Sequence, residues 1–195
     1  MTAPTVRMPA PHRPRTRGTG KAAQLALVAV VAAGALAAGV FVALERTRLD
    51  PPGANAVSAL TSARYRDLHG RERTLQEWQG KIRVVNFWAT WCPPCRQEIP
   101  GLIKIQEKHA PSGVQVVGIA VDQVDNVQPY AAEIGIPYPI LIAGIEALDI
   151  ARALGNKAGA LPFTVVLDRN GNVVKSHLGL MTEADLDAVL APLLG

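Results

Sequence analysis

Hydrophobic residues in this chain form one long run without charges near the N-terminus and, after it, a series of shorter runs separated by polar and turn-forming residues. The long run, residues 22–44, contains no charged side chain and is long enough to cross the hydrocarbon core of a bilayer as a helix. The shorter runs alternate between compact strand-like segments and segments with helical spacing. This alternation predicts one α/β domain that follows a single membrane-spanning helix.

The compact apolar runs predict the strands of a central sheet. Two hairpins are expected where glycine-containing turns join neighbouring runs, at Gly70 and at Gly171. The run at 82–88 is apolar except for Arg83 and Asn86, which favours a buried central strand. The predicted strands cover residues 63–68, 72–75, 82–88, 114–121, 139–142, 160–167 and 172–178.

Segments with helical spacing lie between and after these strands. Helices are predicted at 94–109, at a segment that ends near residue 134, and at 145–154. A capping sequence at 182–185 predicts the start of the last helix. One face of that helix is apolar, and its residues are Leu186, Val189, Leu190, Leu193 and Leu194.

The positive charge of the chain is concentrated at the N-terminus. The formal net charge is +4, and residues 1–44 hold five basic residues and no acidic one, so the rest of the chain carries −1. Because the part of the chain after residue 44 is slightly acidic, the positive net charge of the whole chain does not indicate that the domain binds nucleic acid. Placed before the apolar run, the basic residues instead predict a cytoplasmic N-terminus and an exported domain, periplasmic or otherwise extracytoplasmic.

Four regions follow from this pattern. Residues 1–21 are expected to form a disordered cytoplasmic tail and residues 22–44 a single-pass anchor in the cell membrane. Residues 45–62, with prolines and small side chains, are expected to form a linker to a domain at 63–195. A cleaved signal segment remains the alternative for 22–44; the anchor is favoured because the run exceeds the usual length of a signal-peptide core.

The only two cysteines of the chain lie where the predicted strand 82–88 gives way to the helix 94–109, with Cys92 just before the helix and Cys95 in its first turn. A thiol at a helix N-terminus is stabilised as a thiolate by unpaired backbone N–H groups and by the helix dipole. The spacing allows a small disulfide ring, so the pattern predicts reversible dithiol–disulfide exchange. We expect Cys92, nearer the helix start, to attack a substrate disulfide and Cys95 to resolve the mixed disulfide.

Three other uses of the pair fit the sequence less well. A zinc site needs about four ligands, and the chain offers no second pair at ligand spacing. A haem attachment site needs a histidine after the second cysteine, where this chain has Arg96. A structural disulfide across so short a ring constrains little chain entropy.

The segment FWATWCPPCRQEIP resembles the active site of thioredoxin-like proteins of the TlpA, ResA and CcmG type, and the resemblance extends from about Ala63 to the C-terminus. Such proteins are extracytoplasmic, usually membrane-tethered thiol–disulfide oxidoreductases. The resemblance implies a thioredoxin-like fold with an N-terminal β-hairpin and a central βα insertion. It also implies a reductase of protein disulfides, acting in cytochrome c maturation or on copper-site cysteines. The implied electron donor is a membrane thiol carrier, with no cofactor beyond the redox-active disulfide.

Two polar residues near the cysteines are candidates for proton handling. Glu98 lies three residues after Cys95, on the same face of the predicted helix, and a carboxyl there is a candidate acid or base for the thiols. The matching glutamate of ResA-like proteins is an active-site residue; the alternative is a solvated helix carboxylate. Asn86 occupies the strand position where thioredoxin has a titratable aspartate, and is otherwise expected to be a buried, hydrogen-bonded amide.

The resemblance also implies residues that contact the substrate protein. On the cysteine side these are Trp91, Pro93 and Pro94. On the other side are Leu161 and Pro162; the proline is expected to be cis, to face the cysteines and to bind the extended backbone of the partner.

Two functions of other classes remain open from the sequence. A peroxidase of the peroxiredoxin type carries threonine three residues before its reactive cysteine, where this chain has Ala89. A copper-handling module could use His177 near the thiols, but copper-delivering relatives have a wider spacing between their cysteines. The sequence therefore predicts no metal site.

Overall fold

The computed structural model of the protein describes residues 31–32, 34–36, 38–39 and 54–195. Within these ranges, no helix combines the length and the apolar composition that a membrane crossing requires. The predicted tail at 1–21 and most of the predicted span at 22–44 lie outside the described residues. The described residues 54–195 belong to one compact unit, which contains the sheet.

Strands and helices alternate through residues 54–195, as the hydrophobic pattern predicts. The strands are β1 (Tyr65–Asp67), β2 (Glu72–Arg73), β3 (Ile82–Trp88), β4 (Val114–Val121), β5 (Ile140–Ala143), β6 (Phe163–Leu167) and β7 (Val173–Leu178). The helices are α1 (Ala54–Ser62), α2 (Pro93–His109), α3 (Val124–Ile134), α4 (Ala147–Ala153) and α5 (Glu183–Leu190). Short 3-10 helices cover Leu75–Trp78, Ala110–Ser112 and Ala191–Leu193.

All seven strands join one mixed sheet in the order β2-β1-β5-β4-β3-β6-β7. The strands β3, β4 and β5 run parallel, while β6 pairs antiparallel with β3, and the β1–β2 hairpin is attached through β5. Every residue of β3 is buried, which suits a strand that is covered on both faces. Its central place puts the segment that follows it, with both cysteines, at the middle of one end of the sheet.

The two faces of the sheet carry separate apolar layers. On the first face, α2, α3 and α5 pack against strand residues that include Val84 and Trp88. On the second face, α1 and α4 pack against strand residues that include Val85 and Phe87. Successive residues of a strand point to opposite faces, so β3 supplies both layers in alternation.

The linker predicted at 45–62 is wrong from Ala54 onward, because residues 54–62 form α1. Leu60 is fully buried and Ala56 is buried one helical turn before it, both in the layer on the second face. Alanine and leucine favour helices, and their spacing of four forms an apolar stripe that belongs to the core. The domain therefore begins near residue 54 and not at 63, while residues 45–53 lie outside the described ranges.

The turn and cap residues that marked the boundaries of the predicted strands and helices are confirmed. Gly70 and Gly171 both adopt positive φ angles in the turns of the two hairpins, which a glycine does without steric cost. Thr182 caps α5 in a reciprocal arrangement with Asp185, each side chain bonding the backbone N–H of the other residue.

Candidate active site

Cys92 and Cys95 are joined by a disulfide at the start of α2, directly beyond the end of β3. Cys92 is the N-cap residue of the helix, and its Sγ accepts a hydrogen bond from the backbone N–H of Cys95 at 3.3 Å. Pro93 and Pro94 occupy the first turn, where the absence of a backbone N–H costs nothing. The N-terminal position predicted for the Cys92 sulfur, with a backbone donor aimed at it, is confirmed.

The two cysteines differ in their access to solvent. Cys92 is 4% exposed and Cys95 is fully buried, while Trp91 beside them is 65% exposed. Pro93 is exposed and Pro94 is half-buried. The surface around Cys92 is thus open to a large partner, and Cys92 is the only sulfur of the pair that a partner can reach.

Glu98 lies inside the protein and is not a solvated helix carboxylate. Its residue is 3% exposed, on the inward face of α2 that also carries Cys95 one turn earlier. Its Oε1 accepts a hydrogen bond from Nδ2 of Asn86 at 2.5 Å, and its Oε2 accepts one from the backbone N–H of Met181 at 3.2 Å. The carboxyl is therefore withdrawn from bulk water, on the helix face that it shares with Cys95.

Burial changes the acidity of Glu98. Removal of water from around the carboxylate raises its pKa from 4.5 to about 7, although the hydrogen bonds from Asn86 and Met181 act in the opposite direction. A carboxyl with a pKa near neutrality can both accept and donate a proton at physiological pH, which is what a general acid–base group must do.

Asn86 connects Glu98 to the strand on its other side. The Nδ2 group of Asn86 donates to Oε1 of Glu98 and also to Oγ1 of Thr164 on β6, at 3.0 Å. Asn86 and Thr164 are each 1% exposed. The predicted buried and hydrogen-bonded amide is confirmed, and its partners are a candidate catalytic acid and a strand hydroxyl.

Aromatic side chains close the site on the side of β4 and β5. Tyr138, just before β5, is buried, and its pKa is raised first by burial and then by the charge of Glu98. Trp88 is packed over Gly118, where an added Cβ would come within 2.9 Å of the indole Nε1. That Nε1 has no hydrogen-bond partner within the described part of the chain. The absence of a side chain at Gly118 therefore leaves the room that the indole occupies.

The loop before the cysteines is held by an aspartate at the end of β4. Oδ2 of Asp122 accepts hydrogen bonds from the backbone N–H of Thr90 at 2.9 Å and from its hydroxyl at 2.5 Å. Burial disfavours the charged form of Asp122, but hydrogen bonds from Asn126, Thr90 and Gln123 together lower its pKa. The loop is thus tied to an ionised carboxylate two residues before Cys92.

The Leu161–Pro162 bond is cis, as the sequence resemblance implied. Phe163 pairs with Phe87, which brings Pro162 close to the end of β3, and Leu161 packs against the layer that contains both cysteines. Pro162 itself is buried, and its carbonyl accepts the backbone N–H of Gly179. The half-buried Leu161 is therefore the more accessible of the two for a partner.

Metal ions in proteins require particular sets of ligand side chains. Across the described residues, no group of three or more His, Cys, Asp or Glu side chains is placed to hold a metal ion. His177 lies on β7, with its Nε2 3.3 Å from the carbonyl oxygen of Leu180.

Three parts of this site were not predicted from the sequence: Thr164, the backbone N–H of Met181, and the Asp122 clamp on Thr90. The register of β3 with β6, which places Asn86 opposite Thr164, depends on pairing across 78 residues and is invisible to local patterns. The one signal that the sequence offers for Thr164 is its place as a polar residue in an apolar run, two residues after Pro162.

Comparison with known families covers nearly the whole folded unit. The profile of the family described as Redoxin matches residues 55–190 of this chain. The match takes in both cysteines, Glu98, Asn86 and the cis proline, and it begins inside α1. This agrees with a domain that starts near residue 54.

Individual relatives are similar over the same region. The thiol-disulfide oxidoreductase ResA of Geobacillus thermodenitrificans is 36% identical over 121 residues, which are 62% of this chain and 67% of that protein. The thiol:disulfide interchange protein HelX of Rhodobacter capsulatus is 35% identical over 150 residues, which are 75% of this chain and 72% of HelX. A thioredoxin-family thiol:disulfide interchange protein from Chlorobium tepidum has a solved structure that aligns with a TM-score of 0.59 at 36% identity. The alignment covers 68% of this chain and 93% of that one, and it confirms the thioredoxin-like fold.

Proposed function

The chain belongs to the Redoxin family and is a thiol–disulfide oxidoreductase of the ResA type, and from this premise we propose that it reduces protein disulfides outside the cytoplasm while anchored to the membrane. The observation that carries the proposal is a buried carboxyl with a near-neutral pKa one turn from a helix N-terminal cysteine pair. The apolar segment at 22–44 and the basic tail before it support the anchor.

The first step uses the accessible sulfur. In the reduced protein the Cys92 thiolate attacks one sulfur of the partner disulfide, forming a Cys92–partner bond and breaking the disulfide of the partner. The released partner sulfur leaves as a thiolate and takes up a proton. The backbone N–H of Cys95, which points at the Cys92 sulfur, stabilises the attacking thiolate.

The second step uses the buried sulfur and the buried acid. The Cys95 thiol gives its proton to the Glu98 carboxylate, and the resulting thiolate attacks Sγ of Cys92. The Cys92–Cys95 disulfide forms, the Cys92–partner bond breaks, and the second partner thiolate leaves and is protonated. Two electrons have then passed from the dithiol to the partner. A membrane thiol carrier is the proposed donor that reduces the disulfide again.

The proposed substrates are the cysteines of apocytochrome c haem sites or of copper sites in exported proteins. Trp91, Pro93 and Leu161 form the surface that a partner meets around Cys92, and Trp91 is exposed enough to be covered on binding. Contacts of this kind recognise an extended backbone more than a particular sequence.

Trapping tests the proposal and identifies the partner. In a Cys95→Ala variant the second step cannot occur, so Cys92 should remain joined to its partner in a mixed disulfide. The adduct is isolated from cells under non-reducing conditions and identified by mass spectrometry, with the Cys92→Ala/Cys95→Ala variant as the control. Adducts made up only of cytoplasmic proteins would contradict the proposed compartment. Absence of any adduct that depends on Cys92 would contradict the proposed chemistry.

Topology is tested separately from chemistry. A reporter that is active only in the cytoplasm, fused after Gly195, should be silent if the domain is exported. The same reporter fused before residue 22 should be active. A signal from the C-terminal fusion would overturn the membrane orientation and leave the oxidoreductase activity unaffected.

A further inference from the structure

Two buried polar side chains, Asn86 and Thr164, lie side by side in the sheet under α2, and a third, Glu98, reaches Asn86 from the helix. Strand pairing sets Thr164 of β6 opposite Asn86 of β3, and Asn86 opposite Gly118 of β4. Neighbouring residues in register point to the same face, and here that face is the one covered by α2 and Glu98. Since Gly118 has no side chain, the polar contacts of Asn86 run toward Thr164 and Glu98.

The amide of Asn86 is fixed by two acceptors at once. Both hydrogens of its planar NH₂ group are used, one on Oε1 of Glu98 and one on Oγ1 of Thr164. Removal of the Thr164 hydroxyl would leave one buried N–H without an acceptor, and the amide would turn away from its present orientation to satisfy it. The hydrogen bond to Glu98 would weaken as a result, although Thr164 does not touch Glu98 itself.

The two oxygens of Glu98 are not equivalent. Oε1 receives the short 2.5 Å contact from an amide N–H, which a carbonyl or carboxylate oxygen accepts best. Oε2 receives the longer 3.2 Å contact from the backbone of Met181, which leaves it freer to carry a hydrogen. This asymmetry points to Oε2 as the oxygen that exchanges the proton.

We propose that Thr164 is a positioning residue for Glu98: it holds the Asn86 amide on Oε1, so that the proton is gained and lost at Oε2. This inference rests on the proposed role of Glu98 as the proton handler. It assigns a function to a strand hydroxyl that contacts neither the cysteines nor a substrate.

Other titratable groups surround Glu98 and have to be separated from it. Cys95 lies on the same helix, Tyr138 lies before β5, and Tyr130 projects from α3 toward Trp88. His177 of β7 pairs with Thr164. From α5 the buried residues are Leu186 and Leu190, which do not titrate. In the oxidised protein the cysteines do not titrate either, so that state isolates Glu98.

The direct test is an NMR pH titration of the Glu98 carboxyl. The sample is the oxidised, full-length chain in detergent micelles, with carbon-13 in the glutamate side chains. The Glu98 signal is the one that is missing from the spectrum of Glu98→Gln. The wild type should titrate near pH 7. Thr164→Val should raise the midpoint by about half to one pH unit, because a hydrogen bond that favours the charged form is lost, whereas Thr164→Ser should stay at the wild-type value. Asn86→Leu should shift the midpoint at least as far as Thr164→Val.

A wild-type midpoint in Thr164→Val would overturn the inference, as would an equal shift in Thr164→Ser. The carboxyl titrations are repeated with His177→Gln added to each variant. The same shift of the midpoint on Thr164→Val supports the positioning role of Thr164, and loss of that shift overturns the role. If near-ultraviolet circular dichroism shows that Thr164→Val is unfolded, Thr164→Ala serves as the variant without the hydroxyl.

A second readout separates this inference from the proposed function. The pH dependence of thiol alkylation is measured in the reduced chain for the wild type, Glu98→Gln and Thr164→Val. If Glu98→Gln changes the alkylation profile and Thr164→Val leaves the carboxyl titration unchanged, the positioning role fails and the proposed proton handling stands. If Thr164→Val moves the carboxyl titration and Glu98→Gln leaves alkylation unchanged, the proton handling fails, and Thr164 positions a carboxyl that takes no part in the thiol chemistry.

Discussion

The two faces of the sheet are built from the same strands but carry different chemistry. Along β3, Val84, Asn86 and Trp88 belong to the first face, and Val85 and Phe87 belong to the second. The first face holds the disulfide, Glu98, and the buried polar pair Asn86 and Thr164. The central part of the second face, under α1 and α4, is apolar.

This difference shows how one sheet separates reactivity from stability. Buried polar groups lower the stability of the folded state unless every donor and acceptor is paired. On the first face, this loss of stability is concentrated around the carboxyl of Glu98. The second face also has buried polar atoms, since the Tyr65 hydroxyl and the Arg83 Nε find no hydrogen-bond partner within the described part of the chain. Under α1 and α4, however, it is apolar and gains stability from burial at about 25 cal/mol per Å². Substitutions on the second face should therefore alter stability alone, whereas substitutions on the first face should alter the chemistry of the site or the pH dependence of stability.

The largest effect is expected at the reactive sulfur on the first face. Cys92→Ser should abolish disulfide reduction, measured by turnover of a disulfide-containing protein, because no thiolate remains that a partner can reach. Thermal unfolding should stay close to that of the reduced wild type. Appreciable turnover in Cys92→Ser would show that Cys95 is accessible, which contradicts the burial of its sulfur.

The matching test on the second face is Leu60→Ala in α1. Loss of this fully buried side chain should lower the free energy of unfolding by about 2–5 kcal/mol, while the alkylation profile of the cysteines stays unchanged. Denaturant unfolding measures the first quantity, with the exposed Ser58→Ala as the control on the same helix. A stability loss no larger than that of Ser58→Ala would restore the idea that residues before 63 are a linker.

The pH dependence of stability should expose the cost carried by the first face. The pKa of Glu98 is raised from 4.5 to about 7, so the folded state binds its proton more tightly than the unfolded state. This contribution is fully present below pH 4.5, decreases as pH rises to 7, and is absent above that. Glu98→Gln should therefore be more stable than the wild type at pH 8 by about 3 kcal/mol, and the difference should shrink toward pH 4.

Urea titrations at several pH values measure this difference. Glu107→Gln, an exposed glutamate on the same helix, is the control and should show little pH-dependent change relative to the wild type. Equal stability of Glu98→Gln and the wild type at pH 8 would mean that the carboxyl is better solvated than its burial indicates.

The smallest effect is expected in the cysteines of the Glu98→Gln variant. Removal of a nearby negative charge should lower the apparent pKa of thiol alkylation by up to about one unit, because a carboxylate opposes thiolate formation. Apparent pKa values of interacting groups belong to the whole set, so complete alkylation profiles are compared. Superimposable profiles, with equal reductase rates, would leave the cysteine pair to work without the acid.

Local sequence patterns were sufficient for most of the fold. Some features depend only on residues that are close in sequence, and the structure confirms those that were predicted. They are the strand at 82–88, the glycine turns and the helix cap at Thr182. The strand-to-helix setting of Cys92 and Cys95 is likewise a local property. The start of the domain was wrong because small residues after two prolines looked like a linker, although the spacing of Ala56 and Leu60 is helical.

The surroundings of Glu98 were beyond local patterns. Its spacing from Cys95 indicated a shared helix face, but whether that face is wet or buried depends on the loop at Met181 and on β6. The same holds for Thr164 and for the clamp between Asp122 and Thr90, which join segments that are distant in sequence. These contacts follow from the order of strands, which no single segment encodes.

The contacts of Glu98 have a consequence for the synthesis of the protein on the ribosome. Met181 lies 83 residues after Glu98, and Thr164 lies 78 residues after Asn86. The two cysteines therefore leave the ribosome long before the residues that complete the pocket of the acid. A growing chain has its thiols but keeps Glu98 in water, with the acidity of an ordinary glutamate. Folding of the last third of the domain is the event that removes Glu98 from water and raises the pKa of its carboxyl.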